Sequence, residues 1–253
     1  MGAPPKPSAR AAFDANIEDA EILVDLAKTL VNQRRYRMRR EMRERLGEAL
    51  SVPKKHREDL ECLENDRVFV TFKPGHAALR EKLDEPNLRP LLRQALVAAC
   101  AAVETFCADR VMERYTKAIK SSPPPSGLLE LSMTVGDYLT IEDRYKRKSW
   151  GLRQVVELEI RQRASPAPAQ IGQLFSLVGE KKLMTRIDKR RKVPTGQSTT
   201  ELDRIVKRRN LIAHTGDRSG RGRATITVEE VEADLATIVS IVDALDQETN
   251  SER

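Results

Sequence analysis

Apolar residues recur every three or four positions along most of the 253-residue chain, the spacing that places them on one face of an α-helix. The clearest stripe lies near the end of the chain and comprises Val228, Val231, Leu235, Ile238, Val242 and Leu245. Thr227 directly precedes this stripe, and Glu230 follows three residues later, which is the spacing of a capping box. The pattern predicts a terminal helix that packs antiparallel within a bundle, with the stripe in the core.

The N-terminal part of the chain has a second long stripe. It predicts one helix over residues 10–50, which Pro53 ends because proline cannot continue a helix. Residues 51–87 interrupt the helical pattern and predict an insertion. Residues 68–72 within it favour a short strand, although a single strand has no obvious partner. Residues 1–9 are rich in proline and predict a disordered tail.

The middle of the chain predicts further helices. Residues 88–120 form the most apolar segment, and its alanines allow close packing. Residues 171–187 predict another helix, and residues 189–198 predict a basic, mobile loop. Thr200 and Asp203 then resemble a capping box that opens the next helix.

Together these elements predict an all-α fold, an up-and-down helical bundle with extra helices and an insertion. We expect a single domain over residues 10–247, with tails at 1–9 and 248–253. The composition of 33% charged and 4% aromatic residues suits a helical protein better than a β-sandwich. Because no apolar run approaches the ~20 residues of a membrane span and the first residues lack a signal-peptide core, we expect a soluble, cytoplasmic protein.

The cysteines and histidines indicate no metal site. Cys100 and Cys107 lie in the apolar helix and are expected to be reduced core residues, whereas Cys62, in a charged stretch, is the only plausible exposed thiol. Cys62, His56 and His76 have no recognisable zinc-ligand spacing. The chain has no glycine-rich phosphate-binding loop, so no nucleotide cofactor is predicted.

The net charge of +7 is unevenly distributed along the chain. Residues 181–223 contain fourteen Lys or Arg and four Asp or Glu, and a second basic run covers residues 34–40. Such clusters attract polyanions without reading their sequence. A solvated surface is the alternative for either run, but the two together favour RNA. The residues expected to contact it are Lys189, Arg190, Arg191, Lys192, Lys207 and Arg218.

The segment 202–216 has an arginine within its apolar stripe, which comprises Leu202, Ile205, Val206, Ile212 and Ala213. Arg209 projects from the middle of this side, whereas Asn210 and His214 share a polar face. A guanidinium there must be paired, extend to solvent or line an interface, because burying it unpaired is costly. The alternative is an ordinary basic helix that His214 and Gly216 close at its C-terminus.

Arg209-Asn210-x-x-x-His214 resembles the R-x(4–6)-H motif, in its RNxxxH form, of the HEPN superfamily of small helical RNA-processing proteins. The alanine-rich residues 96–106 resemble a helix found upstream in that superfamily. The segment from Phe13 to Ile17 is similar to the RiboL-PSP-HEPN branch. Arg208 also satisfies the permitted spacing to His214, but Arg209 directly precedes the asparagine and is preferred.

The resemblance implies a bundle of the HEPN type and a homodimer in which two copies of the motif form one composite site. It also implies a metal-independent endoribonuclease. Histidine suits the base that takes the proton of the RNA 2′-hydroxyl, and arginine suits the cation that stabilises charge on the phosphate. Asn210 is expected to orient the imidazole or bind phosphate. Glu104 either pairs with Arg209 or is a surface carboxylate. A role as a toxin or in defence against phage, in some cases with a neutralising partner, follows from the resemblance alone.

Two other functions are open. The first is a HEPN-like RNA-binding or scaffold module that does not cleave. The intact set of Arg209, Asn210 and His214 argues against this function, and the lack of any further catalytic residue argues for it. The second is a helical protein–protein adaptor whose charges only increase solubility.

Overall fold

The computed structural model describes residues 7–76, 78–220 and 222–250. Helices form most of this part of the chain, so the predicted all-α class is confirmed. The helices are α1 (Ala9–Leu30), α2 (Arg40–Ala49), α3 (Ala78–Glu81), α4 (Glu85–Ile119), α5 (Ser126–Leu129), α6 (Val135–Arg144), α7 (Lys148–Arg163), α8 (Pro168–Ser176), α9 (Leu183–Arg191), α10 (Gln197–Thr215) and α11 (Val228–Thr249), with a 3-10 helix at Lys54–Asp59. The strands are β1 (Arg34–Tyr36), β2 (Glu61–Glu64), β3 (Phe69–Phe72), β4 (Arg218–Ser219) and β5 (Gly222–Arg223).

The chain divides into two compact units. The helical unit comprises Met1–Ala20, Leu96–Ala224 and Ala233–Arg253, and the sheet-bearing unit comprises Glu21–Ala95 and Thr225–Glu232. The sheet-bearing unit therefore includes the predicted insertion together with residues on both sides of it. The expectation of one continuous domain stays a prediction.

The predicted terminal helix is confirmed as α11. The amide of Glu230 donates to the hydroxyl of Thr227 (3.2 Å), and the amide of Thr227 donates to the carboxylate of Glu230 (3.1 Å), which completes the expected capping box. All six residues of the stripe are at most 9% exposed. In the helical unit, the rings of Phe13 and Phe106 meet edge to face at 5.8 Å in the core between α1 and α4.

The prediction of one helix over residues 10–50 was wrong. Helix α1 ends at Leu30, and Asn32 then adopts a left-handed backbone conformation (φ 61°). The side-chain amide of Asn65 donates to the carbonyls of Thr29 (2.9 Å) and Val31 (3.0 Å), so it satisfies backbone groups that a continuing helix would have used. The basic run 34–40 therefore forms strand β1, the loop that follows it and the first residue of α2, instead of one helix face.

The predicted strand at residues 68–72 is confirmed as β3, and it has partners that the sequence did not indicate. β1, β2 and β3 form an antiparallel sheet in that order, with Tyr36 opposite Cys62 and Cys62 opposite Thr71. Cys62 is 1% exposed and packs with Met38 and Val52, so the prediction of an exposed thiol was wrong. Cys100 and Cys107 are free and buried, as predicted.

The region between α8 and α10 also differs from the prediction. A single helix over residues 171–187 does not form, because Gly179 (φ 87°) and Lys182 (φ 50°) both take left-handed backbone conformations and separate α8 from α9. Residues 189–198 are not one loop, because α9 runs to Arg191 and α10 begins at Gln197.

The N-terminus of α10 is capped from another helix. The carboxylate of Asp188 accepts hydrogen bonds from the amides of Gly196 (2.7 Å) and Ser198 (2.9 Å), which would otherwise have no partner at the start of a helix. The capping box predicted at Thr200 and Asp203 was therefore wrong. Thr200 lies inside the helix, and its hydroxyl donates to the carbonyl of Gly196 (3.0 Å).

Replacing Asp188 by asparagine is expected to lower the free energy of unfolding by about 1–3 kcal/mol, because a buried charged acceptor is lost. Burial opposes ionisation of Asp188, but hydrogen bonds from Ser198 and Gly196 and the charge of Arg191 outweigh it and lower the pKa. A lowered folded-state pKa stabilises the protein above the unfolded pKa near 3.9, and this stabilisation is lost as the pH falls through the folded value. Urea denaturation at pH 7 and between pH 4 and pH 2.5 measures both effects. Asp203→Asn is the control, and equal losses in the two variants would contradict the capping role.

The ends of the described chain are more ordered than predicted. Ala9 begins α1 and is fully buried, although it was assigned to the tail. Glu248 lies within α11 and accepts hydrogen bonds from Arg186 (2.8 Å) and Arg190 (2.5 Å). The rest of the two predicted tails, at 1–6 and 251–253, lies outside the described residues.

One described helix, Glu85–Ile119, is long and apolar enough by length and composition to cross a membrane. The most apolar window of this helix is 61% buried within the protein. Such burial is the pattern of a core helix in a soluble protein.

Candidate functional site: the C-terminal half of helix α10

Helix α10 is anchored in the helical unit by its apolar side. Leu202, Ile205, Val206 and Ile212 are buried, as predicted, whereas Ala213 is exposed and does not belong to the buried stripe. The helix ends in a left-handed (αL) C-cap at Gly216. The amide of Gly216 (φ 62°) donates to the carbonyl of Ile212 (3.1 Å), and the amide of Asp217 donates to the carbonyl of Leu211 (3.0 Å).

The last turns of α10 present an exposed face of mixed polarity. Asn210 and His214 are both exposed and lie four residues apart, so their side chains are neighbours on the helix surface. Leu211, which is 49% exposed, and Ala213 flank them. His214 makes no hydrogen bond or ion pair to any other described residue. Its imidazole is therefore available to a ligand.

Arg209 lies beside this face but is half buried against helix α4. Its side chain is 22% exposed, and Nη2 lies 4.0 Å from Oε2 of Glu104, at the limit of an ion pair. The pairing of Glu104 with Arg209, one of the two predicted alternatives, is therefore present, but at a long distance. Nε of Arg209 is buried and has no hydrogen-bond partner among the described residues.

Cys100 is a further neighbour of Arg209. It lies one turn before Glu104 on α4, close enough to Arg209 for the charge of the guanidinium to act on its thiol. Burial raises the pKa of the thiol to about 11, against the opposite effect of the charge and hydrogen bond of Arg209. The surroundings of the guanidinium of Arg209 thus include a neutral thiol and a carboxylate at 4.0 Å, without a close ion pair.

Arg208 makes a different contact from that of Arg209. Its Nη2 donates to the carboxylate of Asp217 at 2.9 Å, and Asp217 is only 1% exposed. The amide of Ala224 in turn donates to the carbonyl of Asp217 (2.8 Å). Arg208 thus fixes the turn that follows α10. These contacts favour Arg209 over Arg208 as the arginine of the motif.

The basic residues expected to contact RNA fall into two groups. Lys189, Lys192, Lys207 and Arg218 are exposed. Arg190 is paired with Glu248 at 2.5 Å. Arg191 is 9% exposed, is paired with Glu201 at 2.9 Å and donates to Ser198. These two arginines make ion pairs within the protein, and their assignment to RNA contact stays a prediction.

The sequence did not indicate three features of this site. Cys100 reads as a core residue in an alanine-rich helix, and nothing in its spacing to Arg209 shows that they meet. Leu211 was not predicted to be exposed beside the polar face. The pairing of Arg208 with Asp217 had one available signal, an acidic residue directly after Gly216 at the end of a basic helix.

Helix α10 is basic, and its last turns carry exposed Asn210 and His214 beside half-buried Arg209. These features define a class of α-helical protein with an RNxxxH motif at the end of a helix. The family model of RiboL-PSP-HEPN matches residues 75–251. The chain therefore belongs to the RiboL-PSP-HEPN family, and its helical fold is of the HEPN type. Searches of curated proteins and of solved structures gave no significant match.

Proposed function

We propose that this chain is a metal-independent endoribonuclease that cleaves RNA through attack of a 2′-hydroxyl on the neighbouring phosphorus. The observation that carries this proposal is the end of α10, where His214 and Asn210 are exposed and unengaged beside Arg209. This arrangement supplies a proton acceptor, a hydrogen-bonding amide and a cation within about one and a half helical turns. Membership of a HEPN family supports an RNA-related function for the same residues.

In the proposed reaction His214 takes the proton of the 2′-hydroxyl, and the 2′-oxygen attacks phosphorus. The bond from phosphorus to the 5′-oxygen breaks, and the leaving oxygen takes up a proton. The products are a 2′,3′-cyclic phosphate and a 5′-hydroxyl. Arg209 stabilises the negative charge that develops on the phosphate oxygens, and Asn210 orients the imidazole or binds a phosphate oxygen.

A homodimer completes the proposed site. One His and one Arg leave the proton donor for the leaving group unassigned, and a two-fold axis at the end of α10 would bring a second His214 to the same cleft. The exposed Leu211 and Ala213 beside the polar face are suited to such an interface, because apolar surface favours association.

The exposed cations Lys189, Lys192, Lys207 and Arg218 are proposed to bind the RNA backbone. We further propose a cytoplasmic toxin or anti-phage role, in which a neutralising partner would restrain the nuclease. The partner and the role are proposed from family membership.

Incubation with RNA and with DNA of the same sequence in EDTA tests the proposed reaction. RNA is expected to be cut and DNA is expected to stay intact, because DNA lacks the attacking 2′-hydroxyl. Cleavage of both would contradict the mechanism. RNA binding that weakens with salt, without cleavage, would instead support the non-cleaving RNA-binding module, which the single described histidine on this face favours.

A further inference from the structure

The sheet-bearing unit contains a cavity of about 790 Å³ that the proposed nuclease site does not use. It is lined by residues 35–38, 43, 58–62 and 75, which come from β1 and its following loop, α2, the end of the 3-10 helix, β2 and the turn after β3. Its volume lies in the range of small-molecule and cofactor sites, about 300–1,000 Å³.

Two arginines in the wall of this cavity have unused hydrogen-bonding capacity. Nε of Arg43 is buried and has no partner in the described ranges, and Nη2 makes only a long bond of 3.4 Å to the carbonyl of Met38. Arg37 is exposed and makes no ion pair with another described residue. Nε itself is closed to solvent, so the groups that an anion in the cavity would meet are the guanidinium of Arg37 and the Nη nitrogens of Arg43.

The carboxylates in the wall are not partners of these two arginines. Glu61 lies between Arg35 (3.2 Å) and Arg80 (3.0 Å), so its charge is already balanced. Asp59 lies 3.5 Å from Nδ1 of His56. The cavity therefore combines positive charge at Arg37 and Arg43 with acceptor oxygens elsewhere in its wall.

An aromatic ring completes the wall. Tyr36 is half buried, and its ring meets that of Phe69 edge to face at 5.3 Å, which fixes its orientation. Guanidinium groups fit phosphate oxygens, carboxylates accept hydrogen bonds from hydroxyl and amino groups, and aromatic rings pack against bases. A phosphate, a sugar with hydroxyl groups and a base are the three parts of a nucleotide, and the cavity wall has a group that suits each.

We propose that this cavity binds a nucleotide, with the phosphate on Arg37 and Arg43 and the sugar or base towards Tyr36, Glu58 and Asp59. The ligand is either a free nucleotide or the 5′-phosphorylated end of an RNA. Apart from Gly75, the lining residues precede the family-matched segment 75–251, so family membership does not assign this site. The proposal requires no cleavage and does not rest on the proposed nuclease.

Binding is tested with 3′-fluorescein-labelled oligoribonucleotides that carry either a 5′-phosphate or a 5′-hydroxyl, in a His214→Ala background that prevents cleavage. Arg37→Gln with Arg43→Gln is expected to weaken binding of the phosphorylated RNA about tenfold, because charge-assisted hydrogen bonds to phosphate are lost. The control is Arg34→Gln with Arg45→Gln. These arginines belong to the same unit, are 81% and 80% exposed, and do not line the cavity.

The outcomes separate the two sources of ligand. Competition by adenosine 5′-monophosphate would identify a free nucleotide, whereas a preference for 5′-phosphorylated RNA without such competition would identify an RNA end. Equal binding of both RNAs together with no competition by adenosine 5′-monophosphate, or equal losses in the cavity and control variants, would overturn the proposal. Arg37→Gln alone, which changes an exposed side chain, repeats the test if the double variant unfolds. Phosphate binding in this cavity by a chain that cleaves no RNA would refute the nuclease and leave this site standing.

Discussion

Replacing His214 by alanine is expected to lower the rate of RNA cleavage by about 10²–10⁴-fold, the contribution typical of a positioned acid or base. The fold should be unaffected, because the side chain is exposed and makes no hydrogen bond to another described residue. The measurement is the single-turnover rate on a labelled RNA in EDTA, with the melting temperature recorded for each protein.

His76→Ala is the matched control for this variant. His76 is also exposed, and it lies in the sheet-bearing unit. The control should cleave at the wild-type rate. Equal rates in wild type, His76→Ala and His214→Ala would place the activity elsewhere or in a contaminating nuclease.

Alanine substitutions of the two adjacent arginines of α10 are expected to have different effects. Arg209→Ala should lower cleavage by about 10²–10³-fold, as expected when one group that stabilises transition-state charge is removed. Its stability should change little, because Arg209 makes only a loose pair with Glu104 at 4.0 Å. Arg208→Ala should instead lower the free energy of unfolding by about 1–3 kcal/mol, since buried Asp217 loses a charged partner at 2.9 Å.

Paired measurements of cleavage rate and urea denaturation on the two variants separate these effects. Arg209→Lys extends the comparison, because lysine keeps the charge but loses the planar fork that binds two phosphate oxygens. A variant pair in which Arg208→Ala abolishes cleavage at full stability, and Arg209→Ala does not, would reverse the assignment of the motif arginine.

Local patterns predicted the helices whose determinants are local. The α11 stripe and its capping box need only residues three and four positions apart, and both formed as predicted. The start of α10 could not be predicted in this way. Its cap is Asp188, which belongs to the preceding helix and reaches Gly196 and Ser198 only through the tertiary fold.

The end of α1, like the start of α10, is set by a residue that is distant in sequence. The helical pattern continues past Leu30, but Asn65, more than thirty residues later in the chain, bonds the final carbonyls and redirects the backbone into β1. Long-range partners of this kind also explain why the sheet was missed. A strand of four residues gains stability only from neighbours that are distant in sequence.

The sequence predicted which residues form the candidate site but not which side chains surround them. Helical spacing places Asn210 and His214 on one face and Arg209 on the buried side, and the structure agrees. The contact of Arg209 with Cys100 and the pairing of Arg190 and Arg191 inside the protein depend on how helices pack. The sequence therefore did not show that two residues of the basic run make ion pairs within the protein.

The ends of the RNA fragments produced in EDTA test the central proposal most directly. Mass spectrometry of wild-type products is expected to find 2′,3′-cyclic phosphates paired with 5′-hydroxyls, because attack by the 2′-oxygen leaves no other first product. These ends should be lost with His214→Ala and kept with His76→Ala. Fragments that carry 5′-phosphates and 3′-hydroxyls would contradict the account, since they require water rather than the 2′-hydroxyl as the nucleophile.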